Sequence, residues 1–414
     1  MKNASNAKVK TEIAQEKEGL ELAVVSSKME NLDTLEITKE KLEDAIKNQF
    51  GENKDFAVTD NRDGSFIVNM NDTKRMYYVD EEQVISQENI LKISTAEELK
   101  EFRDDVNSGN TYDGWYVYLA NDITLDINEE WEPIGTYLNE NTSIMDKTNK
   151  PFMGIFDGKN HYIDGLRITS KEKGKGLFGL IKEANIKNLN IEKNCDIDAG
   201  VVVGAIVGYA NSNTILENCH NKSNITSNSR QVGGIAGQNG ANCFIINCSN
   251  TGNINALSDI GGIVGINYGD VRSCYNSGKI NATTTCVGGI TGTNNGIINS
   301  CYNTNDISGS GTNCGGIVGL MQSDKTAIFN SYNIGNIIAE NTSSGGIVGV
   351  YVDGTVQNCY YLENIVNGGN ENNKVDGVTS KTSEELKKLS TKLGEYFKED
   401  TNNINNGYPI LQWQ

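Results

Sequence analysis

Apolar and polar residues in the middle of the chain form short blocks that return at a nearly constant interval. A five-residue phrase of glycine and aliphatic residues begins at Gly204, Gly233, Gly261, Gly288, Gly315 and Gly345, so successive copies are 29, 28, 27, 27 and 30 residues apart. A fixed period of this length is typical of a protein built from stacked repeats.

Two further series keep their place within each repeat. An asparagine or serine recurs at Asn218, Asn247, Ser273, Ser300, Asn330 and Asn358. The next residue is Cys219, Cys248, Cys274, Cys301, Ser331 or Cys359. The repeat is therefore one structural unit used several times, and not a chance recurrence of glycine.

The composition of the unit predicts a parallel β-solenoid. Its apolar runs of two or three residues, bounded by Gly and Asn, indicate short strands separated by turns. Three such strands close one coil, and coils stacked about 4.8 Å apart place each repeat position above its copy. We expect seven or so coils over residues 170–370, with one buried row formed by Ile206, Ile235, Ile263, Ile290, Ile317 and Ile347. The Asn/Ser series should line a turn, where stacked amides satisfy one another.

The ends of the chain show other patterns. Residues 4–28 predict an amphipathic helix, Thr38 the N-cap of a second helix that Gly51 closes, and residues 56–78 a short antiparallel meander. A capping box at Ser94 predicts a helix over residues 94–108, and another at Thr382 predicts a helix through Phe397. We expect four regions: an α+β head (1–90), an N-terminal cap with the first coils (91–170), the repeats (171–370), and a C-terminal capping helix with an apolar tail as a second plug (371–414).

The charge and composition of the chain argue against several classes of partner. The chain carries 36 Lys and Arg against 54 Asp and Glu, a net charge of −18, which argues against nucleic acid and anionic membranes. It contains no apolar run of 18 residues, and Met1 leads directly into polar sequence, so we expect neither a membrane span nor a signal peptide in this sequence. With two histidines and no His-Glu-x-x-His motif, we expect no metal and no cofactor.

A parallel β-solenoid can also carry polysaccharide lyases and hydrolases, which need clustered carboxylates. Asp157 and Asp164, with His161 between them, are the best local candidates. Because each aspartate precedes a glycine, ordinary turn chemistry explains them as well. Acidic residues do not recur in register within the repeats, so the sequence predicts that the chain is not an enzyme.

Two rows of side chains remain to be explained. Of the nine cysteines, those in the repeat row predict small buried packing rather than disulfides, because serine replaces one of them. The residues after that row include an aromatic series that we call the tyrosine stripe: Tyr275, Tyr302, Tyr332 and Tyr360. If exposed, the stripe would bind a glycan or a protein; the alternative is stabilisation by aromatic stacking between coils.

The phrase at 261–265 followed by Gly-Asp-Val-Arg-Ser-Cys-Tyr-Asn-Ser-Gly-Lys-Ile (269–280) resembles the GLUG-type repeat of bacterial surface proteins. That resemblance covers about half of the chain. It implies adhesin-like or protease-associated surface arrays, and by itself no catalytic residues. The head resembles the soluble part of a type IV pilin-like protein, although the basic leader and apolar helix of that family are absent; an unrelated α+β cap is the alternative.

These observations predict an extracellular adhesin or minor pilus subunit at the bacterial cell surface. Its N-terminal helix would contact other pilus subunits, and its solenoid would attach to host or matrix glycans or proteins. The alternatives are a carbohydrate-active enzyme on the same scaffold and a purely structural spacer.

Overall fold

A computed structural model describes residues 2–29, 37–137, 148–310, 313–339, 343–367 and 375–414. The chain forms two compact units. One comprises Met1–Lys92 with Gly114–Val117, and the other Ile93–Asp113 with Tyr118–Gln414. Strands Ile90–Ile93 and Tyr116–Leu119 cross the boundary between the units along the chain.

The first unit is a small α+β fold. Helices α1 (Lys2–Met29) and α2 (Lys39–Phe50) accompany a four-stranded antiparallel sheet and a 3-10 turn at Gln87–Asn89. The strands of this sheet are Phe56–Asp60, Phe66–Met70, Arg75–Val79 and Val84–Ser86. Thr38 caps α2 by accepting a hydrogen bond from the Lys41 amide at 3.4 Å, and Gly51 ends the helix. The predicted α+β region is confirmed.

The second unit is a parallel β-solenoid whose stacked strands form three sheets. Its eight-stranded sheet contains Arg167–Ile168, Asp196–Ala199, Ile225–Ser227, Ile254–Ala256, Ile280–Ala282, Ile307–Gly309, Ile337–Ala339 and Val366–Asn367. Its six-stranded sheet contains Val203–Gly204, Arg230–Gly233, Ser258–Gly261, Val287–Gly288, Cys314–Gly315 and Ser344–Gly345.

The longest sheet holds the remaining parallel strands of this unit. They are Ile123–Thr124, Ile155–Asp157, Tyr162–Asp164, Phe178–Lys182, Asn185–Ile191, Val207–Asn211, Ile215–Asn221, Ala236–Asn239, Phe244–Ile246, Ser249–Asn250, Val264–Asn267, Asp270–Arg272, Tyr275–Asn276, Thr291–Asn294, Ile297–Asn299, Tyr302–Asn303, Val318–Phe329, Tyr332–Asn333, Val348–Gln357, Cys359–Leu362 and Val378–Lys381. Two short strands, Phe397–Lys398 and Ile410–Leu411, pair antiparallel.

The register between coils follows the sequence period. Phe178 pairs with Val207, Val207 with Ala236, and Ala236 with Val264, so each position lies above its copy. The six isoleucines predicted to share a row are all 0% exposed. Over the described residues the solenoid makes about nine turns, because strands before the repeats also stack in register. The predicted mainly β fold with a parallel solenoid is confirmed.

The Asn/Ser series occupies a corner with left-handed backbone. The φ angles of Asn218, Asn247, Ser273, Ser300, Asn330 and Asn358 are 51°, 54°, 52°, 55°, 50° and 53°. Asparagine adopts this conformation more readily than most residues, which explains its recurrence here. The predicted amide stacking occurs between Asn218 and Asn188, whose Nδ2 and Oδ1 atoms are 2.7 Å apart.

A second set of asparagines, which the sequence reasoning missed, forms a buried amide ladder. Its five side chains are all 0% exposed, and in the first four the Nδ2 donates to the Oδ1 of the next coil's asparagine at 2.7 to 2.8 Å. The members of the amide ladder are Asn221, Asn250, Asn276, Asn303 and Asn333. Each also donates to a carbonyl two residues ahead, at 2.8 to 3.0 Å, which fixes the turn after the strand.

The helices of the second unit differ in detail from the sequence prediction. Helix α3 (Ala96–Ser108) is capped by Thr95, one residue after the predicted Ser94, because the Thr95 hydroxyl accepts the Glu98 amide at 3.2 Å. Helix α4 is only Ser383–Leu386; its capping box with Thr382 is present. The predicted continuation of α4 to Phe397 is wrong, since turns replace it and Gly394 takes a φ of 93°.

The cysteine row is packed as predicted. All nine cysteines are free thiols, and the five in the row are 0% exposed. The Cys219 amide donates to Cys248 Sγ at 3.4 Å, and the Cys301 amide donates to Ser331 Oγ at 3.1 Å. Serine is tolerated in this row because its oxygen accepts the same amide hydrogen bond.

Replacing Ile290 by Asp should unfold the solenoid, because an unpaired charge in the buried row costs several kcal/mol. Thermal melting followed by circular dichroism measures this, with the exposed Asn255→Asp as the matched control. A variant that melts like the wild type would contradict the stacked-coil packing.

Titration of the denatured, unreduced chain with a thiol reagent should find nine reactive thiols, since every cysteine is free. Mass spectrometry before and after alkylation counts them. Detection of a disulfide between neighbouring cysteines of the row would contradict the interpretation that these are free thiols packed in the core.

Candidate functional site

The tyrosine stripe lies in register along the longest sheet. Tyr275 pairs with Tyr302, Tyr302 with Tyr332, and Tyr332 with Tyr360. The first three rings stack nearly parallel, with centroids 5.1 and 5.0 Å apart and interplanar angles of 7° and 6°. Aromatic stacking between coils therefore stabilises this face.

Residues 382–414, which we call the C-terminal segment, lie over the stripe. Tyr302 is 2% exposed and Tyr332 is 0% exposed, whereas Tyr275 and Tyr360 are partly buried. The residues packed on these rings are Leu386, Leu389, Leu393, Phe397, Tyr408, Leu411 and Trp413. The segment thus lies along the side of the coils. Ligand binding by the stripe stays a prediction, and the two central rings would become accessible only if the segment moved.

Hydrogen bonds hold the C-terminal segment to the covered rings. The Tyr332 hydroxyl donates to the Pro409 carbonyl and accepts from Asn405 Nδ2 at 2.7 Å. The Tyr302 hydroxyl donates to Gln414 Oε1 at 2.8 Å. Burial raises the pKa of both phenols, so each stays protonated and keeps its donor.

Trp413 inserts into a gap in the aromatic column. The column begins at His220 and then has the small Ser249, which leaves room between His220 and Tyr275. The Trp413 ring lies 5.2 Å from the His220 ring and 5.7 Å from the Tyr275 ring, stacked on both. Its indole nitrogen donates to the Ser273 carbonyl at 2.9 Å. The end of the chain therefore completes an aromatic stack that the repeats leave open.

A chain of hydrogen bonds begins beneath Trp413. Ser249 Oγ is 2.9 Å from His220 Nδ1, and His220 Nε2 is 3.0 Å from Asn218 Oδ1. Asn218 Nδ2 donates to Asn188 Oδ1 at 2.7 Å, and Asn188 Nδ2 donates to Asp157 Oδ1 at 3.0 Å. The hydrogen-bond chain thus joins a serine hydroxyl to a carboxylate through an imidazole and two amides.

The bonds of the hydrogen-bond chain select one histidine tautomer. Because Asn218 uses its Nδ2 to donate to Asn188, its Oδ1 faces His220 and requires a hydrogen on Nε2. His220 Nδ1 then carries a lone pair and accepts the hydroxyl hydrogen of Ser249. Burial lowers the pKa of His220 below its usual 6.5, so the ring is neutral at pH 7.

The three acid–base candidates found in the sequence each make their own local contacts. Asp157 is fully buried and also accepts from the Lys159 amide at 2.8 Å. His161 Nδ1 lies 2.9 Å from Asp122 Oδ1, and Asp164 accepts from Asn194 Nδ2 at 2.8 Å. Asp157 is the member of this set that joins the hydrogen-bond chain.

The sequence reasoning did not find Ser249 or Trp413 as members of a site. The available signals were the one small residue in an otherwise aromatic and imidazole column and a tryptophan outside the repeats. Among the described residues, no three His, Cys, Asp or Glu side chains group as metal ligands. None of the described helices combines the length and apolar content needed to cross a membrane.

Tyr332→Ala should lower the free energy of unfolding by about 3–5 kcal/mol, the usual cost of removing a buried aromatic ring. Chemical denaturation measures the change. The matched control is Tyr396→Ala, because Tyr396 is 41% exposed and its loss should change stability by about 0.5 kcal/mol or less. Equal stability of the two variants would show that the C-terminal segment is not packed on the stripe.

Comparisons with known proteins agree with the repeat architecture. The GLUG motif matches residues 228–255 and 256–281. No curated protein matches the chain. A solved structure described as a "putative immunoglobulin A1 protease from Bacteroides ovatus" matches with a TM-score of 0.50 and 24% identity, over 78% of this chain and 92% of that chain. An "IgA1 Protease" matches with a TM-score of 0.45 and 18% identity, over 75% of this chain and 25% of that chain.

The first of these matches corrects the prediction that the chain is not an enzyme. The Bacteroides ovatus structure, which matches over 92% of its own length, bears the name of a protease, so that prediction is wrong. That prediction rested on the lack of carboxylates in register and of a zinc-binding motif. Neither criterion detects a serine nucleophile activated by a histidine. At these identities the likeness itself shows the fold. The chain therefore carries GLUG motif repeats on a parallel β-solenoid similar to that of the Bacteroides ovatus structure.

Proposed function

We propose that this chain is an extracellular attachment protein of the bacterial cell surface, an adhesin or a minor pilus subunit. Its GLUG solenoid would bind neutral glycans of a host or matrix surface, and its first unit would contact other pilus subunits. Matrix proteins are the other class of partner that the binding experiment below distinguishes.

One outward-facing column on the eight-stranded sheet carries this proposal. It consists of Thr226, Asn255, Asn281 and Ser308, which follow one another in register, one per coil, between buried positions. Thr226 and Asn255 are exposed, and Asn281 and Ser308 are partly buried. Asn281 Nδ2 donates to Asn255 Oδ1 at 2.7 Å, so the two amides are aligned along the solenoid. Amides and hydroxyls repeated at the coil spacing match the hydroxyl groups of an extended glycan, with weak contacts that add along the column.

An exposed apolar face of helix α1 supports the proposed contact with other pilus subunits. Leu22, Val25 and Met29 are 47%, 51% and 68% exposed, and their spacing places them on one face of the helix. An exposed apolar helix face is the form that helix-in-groove recognition uses. We assign this face to contact with other pilus subunits.

A second candidate function, a carbohydrate-active or other enzyme on the same scaffold, has one specific observation in its favour. That observation is the hydrogen-bond chain ending at Ser249, because a serine hydroxyl bonded to a neutral imidazole is the arrangement of an activated nucleophile.

The double variant Asn255→Ala, Asn281→Ala should weaken binding to arrayed neutral polysaccharides by roughly tenfold or more, because contacts made in series contribute multiplicatively to avidity. Glycan arrays and immobilised matrix proteins measure this, with far-UV circular dichroism confirming the fold. The matched control is Gln322→Ala with Gln357→Ala, two exposed polar side chains of the longest sheet.

Unchanged binding by the double variant would show that the outward-facing column does not bind the glycan. If the wild type binds matrix proteins but no glycan, and the double variant loses that binding, the partner of the column is a protein and not a glycan.

A further inference from the structure

Ser249 stands out among the serines of the solenoid because its hydroxyl contacts an imidazole. The Oγ–Nδ1 distance of 2.9 Å is within the range at which a base accepts a proton from a nucleophile. The Asn218 amide oxygen holds the opposite ring nitrogen at 3.0 Å, which keeps the ring oriented and fixes its tautomer. These are the roles of nucleophile, base and orienting group in a hydrolytic triad, which is recognised by geometry and not by sequence order.

The rest of the hydrogen-bond chain is directed away from Ser249 and toward a carboxylate. Asn188 Nδ2 donates to Asp157, whose carboxylate is 0% exposed. Every bond donates toward Asp157, so positive charge that develops on His220 during proton transfer faces a line of oxygen acceptors. Aligned hydrogen bonds in a buried site polarise one another and strengthen this effect.

The slot that Trp413 fills indicates the chemical class of the ligand. The indole lies between the His220 and Tyr275 rings and stacks on both. The space between these two rings therefore fits a planar aromatic group beside Ser249. Ser249 is 4% exposed with the C-terminal segment in place, so the slot must be vacated before a substrate reaches the hydroxyl.

We propose that Ser249, His220 and Asn218 form a serine-hydrolase site for esters that carry an aromatic group, covered in this conformation by Trp413. The inference goes beyond the proposed attachment function and does not depend on it. Ser249 is the nucleophile, His220 is the general base, and Asn218, Asn188 and Asp157 are positioning residues.

The reaction balances with water as the only co-reactant. Ser249 Oγ attacks the ester carbonyl carbon while its proton passes to His220 Nδ1. The bond between that carbon and the leaving oxygen breaks, and the imidazolium returns the proton to the departing alkoxide. Water then attacks the acyl-serine with the same base, which releases the carboxylic acid and restores the hydroxyl.

The first experiment uses the full-length Trp413→Ala variant and an aryl fluorophosphonate. Attack by Ser249 forms an Oγ–P bond and expels fluoride, and mass spectrometry locates the adduct. We expect labelling at Ser249, with the rate falling roughly a hundredfold when His220→Gln is added, because a positioned general base contributes about that much or more. Hydrolysis of a nitrophenyl ester should fall in parallel.

The chain offers a matched control, since His161 is its only other histidine and lies beside Asp122. His161→Gln should leave labelling of Ser249 unchanged. If Trp413→Ala loses its cooperative melting, Trp413→Leu replaces it, because leucine keeps an apolar contact with Tyr275 but is smaller than the indole and leaves part of the slot open.

The positioning role of Asn218 has a separate readout. Nitrogen-15 spectra of the imidazole rings should show His220 as the Nε2–H tautomer in the wild type, and a mixture of tautomers in Asn218→Ala with slower labelling. The proposal is overturned if a folded Trp413 variant is labelled elsewhere, if labelling at Ser249 is indifferent to His220→Gln, or if wild-type His220 carries its hydrogen on Nδ1.

Discussion

The structure depends on the pairing of the buried asparagines in the amide ladder with their copies in the next coil. In the first four members, one Nδ2 hydrogen bonds to the next coil while the other bonds to the residue's own turn. A slip of one residue would bury these amides without partners, at a cost of roughly 1–3 kcal/mol for each. The amide ladder therefore fixes the register between coils as well as the direction in which each turn leaves the strand.

At the end of a ladder, an asparagine lacks an asparagine partner in the neighbouring coil. A second ladder of Asn239, Asn267 and Asn294 begins where Ala210 occupies the preceding coil, and the Asn239 Oδ1 atom is left buried without a hydrogen bond. The amide ladder ends where Tyr361 follows Asn333 in register. Its ring occupies the space beside Gly346, where a β-carbon would lie 2.2 Å from the ring.

Constant register also creates the candidate site. Because each position lies above its copy, residues at the same repeat position contact each other in adjacent coils. His220 therefore contacts Ser249, and Asn218 contacts Asn188. The same alignment stacks the rings of Tyr275, Tyr302 and Tyr332. The C-terminal segment then uses the one small position of the aromatic column as the place where Trp413 inserts.

The sequence was sufficient to predict features that recur with the period, such as the buried row containing Ile290 and the cysteine row containing Cys274. Their chemistry is repeated, so a single misjudged residue does not change the pattern. It was insufficient for the placement of Trp413 and for the hydrogen-bond chain. Those depend on where a non-repeating segment folds back, and on single departures such as Ser249 that have no copy to compare with. The length of α4 was overestimated because its leucines are buried against the tyrosine stripe without a continuous helix.

Hydrogen exchange followed by mass spectrometry tests the stacked register most directly. The amides of Ile235, Ile263, Ile290 and Ile317 each donate to a carbonyl of the next coil at 2.9 to 3.0 Å. We expect peptides containing these residues to exchange slowly and at similar rates, as one cooperative array. Rapid exchange in some of these peptides, alternating with protection in others, would contradict a continuous solenoid held by its amide ladders.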